Sequence, residues 1–207
     1  MRVTILFFLL SLLSCAVGQG QEKTDTAMDT LAQLPFREIP EAPNSYTAEG
    51  VAARMIDGLG FRYYWATIDL RDEDLNFRPG ETNRTTLETL EHIYNLSKTI
   101  RNGTANTPNI RGGDSEKKKM NYAELRKATL ENLKAASDLL RGKEAQLEHM
   151  NIIFQRGERQ SEFPFWNMIN GPIADALWHA GQVVSNRRAS GNPLPPGVSV
   201  FTGKTKQ

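Results

Sequence analysis

The chain has 207 residues, of which 39% are hydrophobic and 24% are charged, and its formal net charge is +1 at pH 7. This length and balance are typical of one globular domain with tails, large enough to bury a core without disulfide bonds. A charge so close to zero excludes the global attraction that draws basic proteins to nucleic acid, and no basic patch with interleaved aromatic residues replaces it. We therefore expect no nucleic-acid partner.

Residues 1–18 have the organisation of a secretory signal peptide. A positive charge precedes an apolar run, residues 3–13, which is too short to span a bilayer, and small residues then suit cleavage before Gln19. Alternatively, residues 12–15 resemble a bacterial lipobox, in which Cys15 would carry lipid. We expect an exported protein, periplasmic or extracellular, with membrane contact only through a lipid on Cys15. As Cys15 is the only cysteine, the mature chain has neither a disulfide nor a cysteine nucleophile.

Residues 19–44 are polar and contain three prolines, which predicts an extended linker. The first helix is predicted over about residues 47–70, and Gly58 and Gly60 within it would allow a neighbouring helix to approach closely. Its apolar stripe consists of Val51, Met55, Leu59, Tyr63, Ala66 and Leu70.

The second predicted helix begins with a capping box, in which Thr85 and Glu88 satisfy each other's backbone N–H groups, and it ends at Asn102-Gly103. Its stripe consists of Leu90, Ile93, Ser97 and Ile100. The chain from Gly103 to Met120 is rich in glycine, asparagine and lysine, so we predict a mobile loop.

The third helix is predicted over residues 122–140, with Asn121 as its cap. Its stripe consists of Leu125, Thr129, Leu133, Ala136 and Leu140. Apolar and polar residues then alternate over residues 146–166, with Phe163 and Phe165 among the apolar ones, which predicts a small hairpin. The fourth helix is predicted from Pro172 to Gly191, and residues 192–207 form a tail without helix. Residues 45–191 therefore predict an all-α fold, one four-helix bundle.

The fourth predicted helix carries an unusual polar strip. Asp175, His179 and Gln182 fall on one narrow arc, bordered by the apolar residues Trp178 and Val183. A surface helix normally has a broader and more charged outer face, so this strip is expected to face the bundle or a cleft.

Asp175 and His179 are four residues apart, a common way for one helix to offer two metal ligands. A third ligand has to come from another helix, and His92 on the second predicted helix is the candidate. The alternative is that Asp175 and His179 form a surface charge pair while His92 is exposed. Gln182 and Glu88 are candidates for residues that support the ligands, although capping already accounts for Glu88.

His92 and the sequence from Asp175 to Gln182 resemble the DinB-like family of four-helix bundles. In that family a histidine on the second helix and an H-x-x-x-H motif on the fourth bind a divalent metal ion. His92 and His179 match the first and last of these histidines, whereas Asp175 stands in place of the remaining one. The resemblance covers about residues 47–188 and is most specific over residues 164–193. It implies a metal site formed by His92, Asp175 and His179.

Two imidazoles and one carboxylate suit Zn, Ni or Fe(II) and leave positions open for water, a thiolate or an oxyanion. Arg187 and Arg188 are candidates for binding an anionic substrate, or are favourable charges at a helix C-terminus.

The resemblance implies a metal-dependent transferase acting on a small molecule, because the family includes thiol transferases and a thiol-dependent isomerase. Since low-molecular-weight thiols are cytosolic, export favours a hydrolase instead. The alternatives are a bundle that binds a metal or ligand without turnover, and a structural bundle whose histidines are incidental. A homodimer is compatible with a helical bundle, but no dimer surface is identified by the sequence.

Overall fold

The computed structural model of the protein describes residues 34–111, 120–142 and 145–206. The predicted signal peptide and Cys15 lie outside these residues. The part of the chain that the structure describes is mostly helical, with 56% of those residues in helices, and it contains a small sheet.

Helix α1, Ala48–Ala66, begins at Thr47, whose side chain accepts a hydrogen bond from the Gly50 N–H at 3.0 Å. It ends four residues before the predicted end, because Thr67 leaves the helix and Asp69 has a left-handed φ of 53°. Much of the predicted stripe is buried, but Val51 is 48% exposed, so that part of the prediction is wrong. The buried positions of the first turns are Gly50, Ala52, Ala53 and Ile56.

The close approach expected at Gly60 is made by an aromatic ring and not by a helix. Phe36 is only 5% exposed, and a Cβ atom on Gly60 would lie 2.5 Å from its ring. Nearby, the Trp65 indole N–H donates to the carbonyl of Arg37 at 3.1 Å. These contacts place the end of the predicted linker against α1, where it is part of the packed domain.

The short helix α2, Asp72–Asn76, is tied to a distant part of the chain by one buried carboxylate. Asp74 pairs with Arg71 and accepts hydrogen bonds from the Ser190 hydroxyl and the Asn192 amide, both at 2.6 Å. The Arg71 guanidinium, assisted by these two donors, holds the pKa of Asp74 well below its ordinary value. Asp74 therefore anchors the start of the loop that leads into the next helix.

Helix α3, Thr86–Thr104, confirms the second predicted helix. The Glu88 N–H donates to the Thr85 hydroxyl at 3.1 Å, and the Thr85 N–H donates to the Glu88 carboxylate at 2.7 Å. The whole predicted stripe is buried: Leu90, Ile93, Ser97 and Ile100.

Helix α4, Tyr122–Arg141, confirms the third predicted helix, and its capping box joins Asn121 and Glu124 through two hydrogen bonds of 2.9 Å. Its predicted stripe is buried as well: Leu125, Thr129, Leu133, Ala136 and Leu140.

A three-stranded sheet lies beside the helices, in the order β1-β2-β3. Strand β1, Asn109–Ile110, pairs in parallel with β2, Asn151–Arg156, which pairs in antiparallel fashion with β3, Arg159–Pro164. Between β2 and β3, Gly157 turns the chain with a left-handed φ of 60°. Residues 109–110 fall in the segment for which only a loop was predicted, so that prediction is wrong there.

The fourth helical region begins earlier than predicted. Helix α5, Phe165–Met168, leads through a π-helical turn, Ile169–Ile173, into α6, Ala174–Ala189. Phe165 therefore starts a helix and does not continue the strand. The kink lies at Gly171, with φ −99° and ψ −107°, next to Pro172, which has no N–H to donate to the preceding turn.

Helices α1 and α3 each pack against both α4 and α6, with the hydrophobic core between them. The tail carries two short antiparallel strands, β4, Val198–Ser199, and β5, Lys204–Thr205. It contacts the N-terminal segment, where the Ile39 N–H donates to the carbonyl of Gly203 at 2.8 Å. Within the described residues, every helix is too short or too polar to cross a bilayer.

Candidate metal centre

The contact between α3 and α6 brings the three predicted ligands together. His92 lies between the buried residues Leu90 and Ile93 in the sequence, which places it at the edge of the buried face of α3, where it is half-buried. On α6, buried Ala176 and Ala180 hold the helix against the core, and this turns Asp175 and His179 towards the same seam. Each ligand is thus positioned by its neighbours in the hydrophobic stripe.

The Asp175 carboxylate lies between the two imidazoles. Its Oδ2 atom is 3.1 Å from Nε2 of His92, and its Oδ1 atom is 3.2 Å from Nε2 of His179. The two rings are nearly perpendicular, at 89°, with their centroids 4.6 Å apart. One ligand atom from each residue lies within 4.8 Å of the other two, so the three are close enough to hold a metal ion.

This arrangement passes a simple test of fit to a metal ion. Bonds of about 2.1 Å at tetrahedral angles keep ligand atoms about 3.4 Å apart, and the distances of 3.1 and 3.2 Å from Asp175 to the two imidazoles are close to this value. The side chains of His92, Asp175 and His179 are 29%, 40% and 14% exposed. One side of the cluster therefore faces solvent and is accessible to a small molecule.

Known proteins give no guide to this site. No family model, no curated protein and no solved structure matches the chain. The resemblance to the DinB-like family stays a prediction.

Gln182 lies one turn beyond His179 on α6, and its side-chain amide contacts the His179 ring. The Gln182 amide oxygen is 2.7 Å from Nδ1 of His179, a distance at which an Nδ1–H donates a hydrogen bond to that oxygen. In the neutral ring, Nε2 then presents a lone pair to the Asp175 oxygen 3.2 Å away. Two acceptors at that distance repel each other unless a cation, either a metal ion or a second proton on the ring, lies between them.

Glu88, the other supporting residue considered, is used by the helix cap. Besides accepting from Thr85, its carboxylate lies 3.3 Å from Arg78. The Thr85 backbone N–H and hydroxyl hold the pKa of Glu88 below its ordinary value. The third histidine, His149, lies on a short 3-10 turn, Leu147–His149, and is not part of the cluster.

Two surface depressions adjoin the cluster, and sequence reasoning missed the residues they share. The smaller, about 450 Å³, is lined by His92, and the larger, about 520 Å³, is lined by His179 and Gln182. Both are also lined by residues 82–84 of the loop between α2 and α3. The position of this loop directly before the helix that carries His92 is the sequence feature that relates it to the site.

Arg187 and Arg188, the candidates for binding an anionic substrate, line neither depression. Arg187 is 1% exposed, and its guanidinium donates to carbonyl groups at the end of α1 and to Asn192. Burial lowers the pKa of this guanidinium. Arg188 is exposed. The geometry of Arg187 fits the alternative given for it, a structural charge at the end of the helices.

Proposed function

We propose that the protein is a DinB-like four-helix bundle that binds one divalent metal ion through His92, Asp175 and His179. We further propose that it is an exported hydrolase or transferase that acts on a small molecule at this ion. The observation that carries the proposal is the His179 ring, held by Gln182 so that Nε2 faces a carboxylate oxygen at 3.2 Å. A metal ion between these atoms would relieve their repulsion and use both as ligands.

The donor set supports the choice of metal. Two imidazole nitrogens and one carboxylate oxygen are the ligands of many catalytic zinc sites and also suit Ni or Fe(II). Bound there, a divalent ion would act as a Lewis acid on a substrate oxygen.

The surroundings of the cluster favour turnover over storage. A site that only holds a metal is expected to be closed, with all coordination positions filled by the protein. Here one side of the cluster faces solvent and two depressions adjoin it. The larger lies within the range of volumes typical of small-molecule sites, about 300–1,000 Å³.

The first test is the metal content of the purified full chain and of two variants. His179→Ala removes a proposed ligand, whereas His149→Ala removes a histidine outside the cluster and is the matched control. We expect about one equivalent of Zn, Ni or Fe in the wild type and in His149→Ala, and none in His179→Ala, with the same helical circular dichroism spectrum throughout. A folded wild type without metal, or equal metal content in both variants, would contradict the proposal.

A second measurement separates an open site from a closed one. The Co²⁺-loaded protein is titrated with azide, a small anion that binds a metal only at a free position. We expect the visible absorption spectrum of Co²⁺ to change. An unchanged spectrum would mean that the protein fills every position, and it would favour the alternative of a bundle that binds metal without turnover.

A further inference from the structure

The larger depression has walls from two parts of the chain. One wall comes from α6, where His179 and Gln182 line the depression. The other wall comes from Pro79 and residues 82–84 of the preceding loop, with Thr89 of α3. A molecule in this space would contact the proposed metal ligand His179 and the loop together.

The residues that line this depression include a positively charged side chain and no negatively charged one. Apart from His179, Arg84 is the only lining residue with an ionisable side chain, and the others are polar or small. The smaller depression differs, because two glutamates, Glu88 and Glu91, balance its two arginines. The lining of the larger depression therefore offers an anion one positive charge and no carboxylate, and the same arginine, Arg84, also lines the smaller depression beside Glu88.

Arg84 is also available to bind. Its side chain is exposed, and it makes no hydrogen bond or ion pair with the part of the chain that the structure describes. Arg78, the other arginine of this loop, lies 3.3 Å from the Glu88 carboxylate and is engaged there. A guanidinium offers two parallel N–H donors that match a carboxylate or a phosphate group.

We infer that the substrate carries a second group, an anionic carboxylate or phosphate, which pairs with Arg84 across the larger depression while its reacting end lies at the metal ion. The inference rests on the proposed function, since it places the reacting end at His92, Asp175 and His179. It names the substrate class as a small molecule with an acidic end. Arg84 thus takes the role for which Arg187 and Arg188 were candidates.

The test compares ligands that differ only in the second acidic group. Co²⁺-loaded full-length protein is titrated with succinate, glutarate and adipate, and with butyrate, valerate and hexanoate of the same chain lengths. Binding is followed through the visible spectrum. We expect at least one dicarboxylate to bind about fivefold more tightly than its monocarboxylate, the effect of one exposed ion pair. Phosphonoacetate, which carries a phosphonate in place of one carboxylate, is added to the series. Tighter binding of phosphonoacetate than of the dicarboxylates would favour a phosphate as the acidic end, and weaker binding would favour a carboxylate.

Two variants identify the residue responsible. Arg84→Gln is expected to abolish the preference while leaving monocarboxylate binding and Co²⁺ affinity unchanged. Arg188→Gln removes an equal charge from an exposed site outside the depression and is expected to keep the preference. Absence of any preference in the wild type, a preference that survives Arg84→Gln, or equal losses in both variants would each overturn the inference.

The same measurements distinguish failure of the inference from failure of the proposed function. Protein that binds Co²⁺ but shows no effect of Arg84 refutes the inference alone. Protein that binds no Co²⁺ refutes the proposed metal centre and, with it, the placement of the substrate.

Discussion

Arg187 offers a direct test of whether an arginine of α6 supports the fold or binds a ligand. Its Nη1 atom donates to the carbonyls of Trp65, Ala66 and Ile68 at 3.0, 3.2 and 3.1 Å. Its Nε and Nη2 atoms donate to the carbonyl and side-chain oxygens of Asn192 at 2.7 and 3.0 Å. The side chain thus caps the end of α1 and holds the start of the tail.

Replacing Arg187 with methionine keeps much of the side-chain volume but removes all five hydrogen bonds. A hydrogen bond from a charged donor contributes about 1.5–3 kcal/mol, but such contributions are not additive, and relief of the buried charge offsets part of the loss. Four backbone carbonyl groups and the side-chain oxygen of Asn192 would lose this donor in a site where the side chain is only 1% exposed. We therefore expect Arg187→Met to lower the free energy of unfolding by about 3–5 kcal/mol, out of the roughly 5–15 kcal/mol typical of a domain.

The assay is urea denaturation of the full chain, followed by circular dichroism. Arg188→Met is the matched control, because the neighbouring arginine is exposed, and we expect it to change the free energy of unfolding by less than about 0.5 kcal/mol. Arg187→Lys should give an intermediate loss, because an ammonium group cannot reach α1 and Asn192 together. If Arg187→Met were as stable as wild type but had lost dicarboxylate binding, the structural role would be refuted and the substrate-binding role favoured.

Three further predictions follow from contacts described above. Gln182→Leu removes the acceptor that orients His179 and should weaken metal binding by about 10–100-fold, measured by competition with a chromophoric chelator. Asp74→Asn should lower the free energy of unfolding at pH 7 by about 2 kcal/mol. Since the folded pKa of Asp74 is depressed, its stabilisation is present above the unfolded pKa of about 4 and is lost as pH falls towards the folded pKa. The gap between wild type and Asp74→Asn should therefore narrow below about pH 4 in urea denaturation. Gly60→Ala should destabilise the domain by about 1–3 kcal/mol, because its Cβ would overlap the Phe36 ring, and the thermal midpoint reports it.

Each of these has a matched comparison. Gln182→Glu keeps an acceptor at the same place and should retain metal affinity, so equal affinity of the leucine variant and wild type would contradict the orienting role. A constant gap between Asp74→Asn and wild type from pH 7 to pH 2 would exclude the proposed acid sensitivity. Gly58→Ala meets only the flexible end of Arg62 at 3.3 Å and should not destabilise, so losses of the same size at both glycines would show that the ring contact is not the cause.

The parts of the fold that could be predicted are those fixed by neighbouring residues. The starts of α3 and α4 depend on Thr85 with Glu88 and on Asn121 with Glu124, pairs three residues apart, and both starts were predicted to the residue. The start of the last helical region was not, because alternation ending at Phe165 reads as a strand. There the ring is buried against the core, and tertiary packing overrides the local pattern.

The candidate site likewise contains residues that could be predicted from local sequence and residues that could not. The spacing of Asp175 and His179 on one helix is local and could be read directly. That His92 lies opposite them depends on which helices are neighbours and on their axial register, so the sequence offered it only as a candidate. Arg84 was not predicted, because it lies in a loop without periodicity. Its proposed role in binding depends on a depression that forms only when α3 and α6 pack together.

The contact between Ile39 and Gly203 bears on how the domain can be rebuilt. Because the N-terminal segment and the tail are hydrogen-bonded there, a peptide could join the two segments near this contact, and new ends could be opened elsewhere on the surface. A circularly permuted chain opened between β2 and β3, at Gly157, would carry α6 and its ligands ahead of α3 in the polypeptide. Such a rearranged protein would still assemble His92 beside Asp175, since their meeting depends on helix packing and not on the order in which the helices are connected.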